Sequence, residues 1–176
     1  LVTSDSGQTI TFEVTPVALT GTLTGSAVTS SSLIVANSAP TASSVSITDN
    51  NGGNAVVGDS LTGSYSYTDA DNDAQGISTF KWLRSGTPIP GATNTTYTLV
   101  TADSGFSITF EVTPVAATGT TTGSAATSSG LTVVNSAPIA SAVSITDTNG
   151  GSAVVGDSLT GSYTFADLDN ALEGTC

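Results

Sequence analysis

Apolar and polar residues alternate along this chain with a period of two. Ile108, Phe110 and Val112 interleave with Thr109, Glu111 and Thr113, and Ile10, Phe12 and Val14 copy the arrangement. Leu61, Gly63, Tyr65 and Tyr67 alternate with Thr62, Ser64 and Ser66. Successive side chains of a strand point to opposite faces, so each run offers one face to a core and one to water. The pattern predicts strands over 43–48, around 61–67, at Ser78–Arg84 with Phe80, Trp82 and Leu83, at Thr96–Leu99, over 108–113, and from Ala125 to Val134 with Leu131 and Val133 pointing one way. Pro88 and Pro90 confine 87–91 to an edge or loop, since proline cannot donate to a ladder. Asp49–Gly53, Ser85-Gly86 and Asp103–Gly105 read as turns. Several short strands between turn signals, with no helical period, predict an all-β sandwich.

The strands recur. Residues 1–78 align without a gap on residues 99–176, an offset of 98, and 56 of the 78 pairs are identical. That period exceeds the repeat of helical or leucine-rich solenoids and suits a whole small domain. The tetrapeptide Asn-Ser-Ala-Pro at 37–40 and 135–138 marks the joints, where Pro40 and Pro138 stiffen the backbone and disfavour helix before them. Residues 1–36 then read as the C-terminal part of one module, 37–134 as a complete module, and 135–176 as the N-terminal part of a third. The expected polypeptide is longer than this chain.

Charge narrows the partners. Two Lys and Arg stand against fourteen Asp and Glu, a formal charge of −12, although only 9% of residues are charged. Nucleic acids and anionic membranes demand a basic footprint, so both are excluded, whereas divalent cations suit the surface. No apolar run is long enough for direct insertion into a membrane. The one cysteine, Cys176, aligns with Ser78, so no disulfide can form within a module.

The runs Tyr65–Asp73, Ser78–Gly86, Gly91–Leu99 and Ala102–Pro114 together resemble the tandem bacterial immunoglobulin-like (BIg-type) repeats of giant surface adhesins and related secreted proteins. The resemblance spans the chain and implies tandem immunoglobulin-like β-sandwich modules. Trp82 is similar to the core tryptophan of the third strand of that fold, and Asp103-Ser104-Gly105 to the turn before its sixth. The chain lacks the disulfide cysteines and the corner tyrosine of antibody-type domains, and cysteine avoidance fits bacterial secreted repeats.

The sharpest chemical feature is Asp69-Ala70-Asp71-Asn72-Asp73-Ala74-Gln75-Gly76. Alternate carboxylates can wrap a Ca²⁺ ion, which takes six to eight oxygens; a solvated acidic loop is the alternative. Without the distal Glu and flanking helices it is not an EF-hand. The resemblance implies that such loops hold Ca²⁺ near module junctions. In the copy Asp167 and Asp169 persist, Ala171 replaces the third Asp, and Glu173 replaces Gln75, so the copy either keeps the site by using Glu173 or has lost it. With no His in the chain, triads, His-based acid–base chemistry and His-ligated zinc are excluded. The carboxylates read as single strand or loop groups rather than a glycosidase pair. An isopeptide bond at Lys81 would need burial that lysine avoids. The Asn94-Thr95-Thr96 sequon is a weak motif, and Thr118–Thr122 reads as turn or strand filler.

These features predict no enzyme. They predict a structural extender segment of a bacterial cell-surface adhesin or extracellular fibre, stiffened by its joints and by Ca²⁺, whose partners are neighbouring modules and other copies in a fibre. The alternatives are a self-assembling filament subunit and a carbohydrate-binding module.

Overall fold

The computed structural model describes residues 1–175; Cys176 lies outside the described residues. The chain is all-β. Its strands are β1 (Thr9–Ile10), β2 (Glu13–Val14), β3 (Val28–Thr29), β4 (Leu33–Ile34), β5 (Thr41–Asp49), β6 (Ser60–Thr68), β7 (Thr79–Arg84), β8 (Thr87–Pro88), β9 (Thr96–Thr98), β10 (Ser107–Thr113), β11 (Ala126–Thr127), β12 (Leu131–Thr132), β13 (Ile139–Asp147) and β14 (Leu159–Ala166). Helical structure among the described residues is limited to single 3₁₀ turns at Thr3–Asp5 and Thr101–Asp103. No helix is long and apolar enough to cross a membrane, which leaves β-barrels out of account.

The strands β5, β6 and β9 form one sheet, and β11, β10, β7 and β8 another, with β12 also on β10. Two-stranded antiparallel pairs join β1 to β4, β2 to β3, and β13 to β14. The expected closing strand from Ala125 to Val134 is broken in two. Its partner positions, Glu111 with Thr127 but Ser107 with Thr132, slip by one residue, as a β-bulge requires. The cause is local: Ser128 Oγ accepts from Phe110 N–H at 3.0 Å, and Ser107 Oγ sits 2.2 Å from where a Cβ on Gly130 would be.

The described residues fall into two compact units. The first gathers Leu1–Val45, Tyr65–Phe80 and Glu111–Thr127; the second gathers Ser46–Ser64, Lys81–Phe110 and the chain from Ser128 onward. In the second unit alternate residues of β6 and β10 bury Leu61, Ile108 and Phe110 completely, with Trp82 and Val133. The Trp82 ring stacks on Tyr97 at 5.6 Å and tilts against Phe110 at 5.1 Å. Its indole N–H donates to the Asn94 carbonyl at 2.9 Å, which satisfies the one polar atom of a buried tryptophan. In the first unit Val112, Pro40 and Pro114 are fully buried, and the rings of Tyr65 and Phe80 lie 5.9 Å apart.

Repeat-related segments make the same local bonds. Gly7 N–H donates to Val35 O and Gly105 N–H to Val133 O, both at 2.9 Å. Ser46 and Ser64 hydroxyls meet at 2.9 Å, and their copies Ser144 and Ser162 at 2.7 Å.

Candidate functional site: an acidic loop on the Asn-Ser-Ala-Pro segment

Strand β6 ends at Thr68, and the loop that follows in the first unit carries Asp69, Asp71 and Asp73 (all half-buried). Asp69 shapes the loop: its Oδ1 accepts from Asp71 N–H at 2.8 Å and from Asp73 N–H at 3.3 Å. Asn72 takes φ 62°, a left-handed turn conformation that Asn tolerates better than most residues. The result is convergence. One carboxylate oxygen from each of Asp69, Asp71 and Asp73 lies within 4.8 Å of the others.

The outer oxygens grip the Asn-Ser-Ala-Pro segment. Ser38 N–H donates to Asp71 Oδ2 at 2.5 Å, and Asn37 Nδ2 donates to Asp73 Oδ2 at 2.8 Å. Asn37 Nδ2 also reaches Ser6 Oγ at 3.1 Å, next to the 3₁₀ turn at Thr3–Asp5. Thr118 Oγ1 donates to Asp73 Oδ1, and Thr120 N–H donates to Asn37 Oδ1. The threonine stretch read as filler thus supplies three hydrogen bonds to this site, the third from Thr120 Oγ1 to Asn37 O at 3.0 Å. Nothing in its sequence signals the role, because the partners are 45 and 83 residues away. The hydrogen bonds from Thr118 and then Asn37 hold the Asp73 carboxyl below its ordinary range. Tyr67 donates to the Asp73 carbonyl at 3.2 Å, and burial, then the charges of Asp69 and Asp73, push its phenol up.

In the second unit the copy keeps the frame and changes the contents. Asp169 N–H donates to Asp167 Oδ1 at 2.8 Å, and Asn170 has φ 58°. Asp169 Oδ2 accepts from Ser136 N–H at 2.5 Å and from Ser136 Oγ at 2.6 Å, and these bonds hold its carboxyl low. Thr101 Oγ1, at the second 3₁₀ turn, donates to Leu168 O at 3.3 Å. With Ala171 in place of an aspartate, Asn135 Nδ2 donates instead to Ser136 O at 2.6 Å. Glu173 accepts from the Tyr163 hydroxyl, repeating the contact of Gln75 Nε2 with Tyr65 OH at 2.6 Å. Among the described residues, the converging acidic group is Asp69, Asp71 and Asp73; Asp167, Asp169 and Glu173 do not form a second one.

The donor set at the first loop is all oxygen, which suits a hard cation such as Ca²⁺. Asp69 Oδ2 is a buried oxygen with no hydrogen-bond partner, as are Asp167 Oδ2 and Asp169 Oδ1. A polar cleft of about 420 Å³ opens beside the first loop, lined by Thr3, Ser4, Ser6, Gly7, Asn37, Asp71, Asp73 and Gly119.

A further carboxylate departs from the expectation of loop and surface acids. Asp103 is fully buried in the second unit. Its Oδ1 accepts from Arg84 Nε at 2.7 Å, and its Oδ2 from Tyr97 OH and Val100 N–H, both at 2.8 Å. Burial, then the bond to Asp103, pushes the Tyr97 phenol up to about 12. Every carboxylate oxygen is satisfied, so the cluster pins a turn. Lys81 and Asn94 are exposed, so Lys81 lacks the burial that an isopeptide bond would need.

Comparison of the chain with protein-family models, curated proteins and solved structures found no match.

Proposed function

We propose that the chain is an extender segment of a long extracellular fibre or bacterial surface adhesin, built from tandem immunoglobulin-like sandwiches, and that its work is mechanical. The observation that carries this reading is the doubled grip on the linker. Ser38 N–H meets Asp71 and Ser136 N–H meets Asp169 at the same 2.5 Å, one 98-residue period apart. A proline-flanked linker is already stiff. Charge-assisted bonds from the next module's loop remove further freedom, which is what a spacer that must stand away from a surface needs. Asp69, Asp71 and Asp73 would hold a Ca²⁺ ion in the first loop, whereas Asp167, Asp169 and Glu173 form no converging group in the second. The ion would neutralise the crowded carboxylates and tie the loop together.

Arrays of two, four and eight 98-residue copies, imaged by electron microscopy, test the reading. Contour length should rise in proportion to copy number, and compact particles would contradict it. Calcium is tested separately: melting temperature should be higher with Ca²⁺ than with chelator, and equal values would remove the ion while leaving the extender reading standing.

A further inference from the structure

The same turn stands at both joints. In the second unit the 3₁₀ turn Thr101–Asp103 runs into a segment that bonds the end of its own repeat: Gly105 N–H donates to Val133 O and Val133 N–H to Phe106 O, both at 2.9 Å. Beyond Val133, Ser136 bonds Asp169. The turn also reaches that acidic loop directly. Thr101 Oγ1 donates to Leu168 O at 3.3 Å, and the Ser104 hydroxyl, after the two bonds from Ser136, helps to hold the Asp169 carboxyl low. In the first unit the copy of the turn, Thr3–Asp5 with Ser6 and Gly7, repeats the arrangement. Gly7 N–H donates to Val35 O and Val35 N–H to Gln8 O, both at 2.9 Å, and Ser6 Oγ accepts from Asn37 Nδ2 at 3.1 Å. Thr3, Ser4 and Ser6 share the lining of the polar cleft with Asp71 and Asp73.

The incomplete repeats do not create this contact. At the second joint the turn belongs to the complete repeat, 37–134, and the loop to a partial one. At the first joint the loop belongs to the complete repeat and the turn to a partial one. Turn and loop therefore meet both ways round.

A buried charge holds the turn. Asp103 Oδ2 accepts from Val100 N–H, just before the turn, and from Tyr97 OH on β9. Its Oδ1 accepts from Arg84 Nε at 2.7 Å and Nη2 at 2.6 Å at the end of β7. Since β7 and β9 lie in different sheets, one carboxylate ties the turn to both. A single 3₁₀ turn has weak internal bonds. Charge-assisted bonds to a fully buried carboxylate confine it to one geometry, because leaving that charge unpaired is costly.

We propose that Asp103, with Arg84 and Tyr97, is a positioning residue for the joint between repeats. It fixes Thr101–Gly105 as a preformed seat, and the partner of that seat is the acidic loop of the next repeat. The linker is then clasped from both sides, and order in the buried cluster of one repeat passes to its neighbour, the nearest-neighbour coupling of a tandem array. This rests on the loop's grip on the linker proposed above and adds the opposite side of the clasp.

The test compares two pairs of spin labels at exposed positions in the whole chain with Cys176→Ser: Thr87 with Thr160 across the joint, and Thr87 with Thr98 inside the repeat. Both distributions should be narrow in the parent chain. Thr101→Val/Ser104→Ala removes the direct contacts and should move the docked-to-undocked ratio about fivefold toward undocked, broadening the first distribution alone. Tyr97→Phe, which keeps the ring on Trp82, and Asp103→Asn should broaden it too, although neither residue touches the loop. If Asp103→Asn also broadens the inner pair, Tyr97→Phe decides. A joint indifferent to both would overturn the positioning role. Asp169→Ala separates this proposal from the grip itself: if it alone broadens the joint, the seat is refuted and the grip stands. If no variant broadens the joint, or if it is already broad in the parent, both fail.

Discussion

The segments Ile10–Val14 and Ile108–Val112 have the same five residues and opposite environments. Ile108, Phe110 and Val112 are fully buried, whereas Ile10, Phe12 and Val14 are 38%, 70% and 48% exposed. Local structure hardly differs: Phe12 N–H finds Ser30 Oγ at 2.9 Å, and Phe110 N–H finds Ser128 Oγ at 3.0 Å. Alternation therefore specifies which face is apolar, while burial is decided by whether a complementary sheet is there to receive it. The acidic loops teach the same lesson in polar terms. Identical turns at Asp69–Asn72 and Asp167–Asn170 present different oxygens, because one substitution, Asp73 against Ala171, removes the group that Thr118 and Asn37 bind.

The comparison is broken most severely by Phe110→Ala, which should cost about 3–5 kcal/mol in denaturant unfolding, while Phe12→Ala should cost less than about 1 kcal/mol. Equal costs would mean that the Phe12 strand is buried in solution. Next in size, Asp103→Ala leaves the Arg84 charge and the Tyr97 hydroxyl without their acceptor and should cost about 3 kcal/mol. Its copy Asp5, which keeps a backbone bond from Val2 N–H at 2.9 Å, should cost under about 1 kcal/mol when changed to Ala. Calcium at a hundred times its Kd should stabilise the fold by about 2.7 kcal/mol, and Asp73→Ala, which makes the first loop resemble the second, should abolish most of that gain.

The smallest effect is acid. Asp73 and Asp169 are held below the ordinary carboxylate value, so each ionised form is favoured by folding. Their contribution is complete above the unfolded value of about 3.9 and is lost as pH falls through the lower folded value. Melting curves from pH 6 down to pH 3 should show it, with a shallower acid loss in Asp73→Ala.

Much of the fold was legible, because strand period and turn residues are local signals: β5, β6, β7, β9 and β10 lie where alternation puts them. The bulge between β11 and β12 was not, since it follows from Ser128 bonding across to Phe110. The acidic loop could be found from spacing alone. Its partners could not: Asn37 and Ser38 were legible only as a joint, Thr118 and Thr120 only as filler, and Asn37, Ser38 and Thr118 reach Asp71 and Asp73, with Thr120 on Asn37, only through tertiary folding. The buried Asp103 cluster was hidden for the same reason, since Arg84 and Tyr97 stand 19 and 6 residues away on other strands.

The claim that the acidic loop stiffens the linker is tested most directly by a distance distribution between spin labels at Ser32 and Ser66, in a Cys176→Ser background. A narrow distribution that broadens in Asp71→Ala/Asp73→Ala is the predicted result. A distribution already broad in the parent chain, or one that the double substitution leaves unchanged, would contradict it.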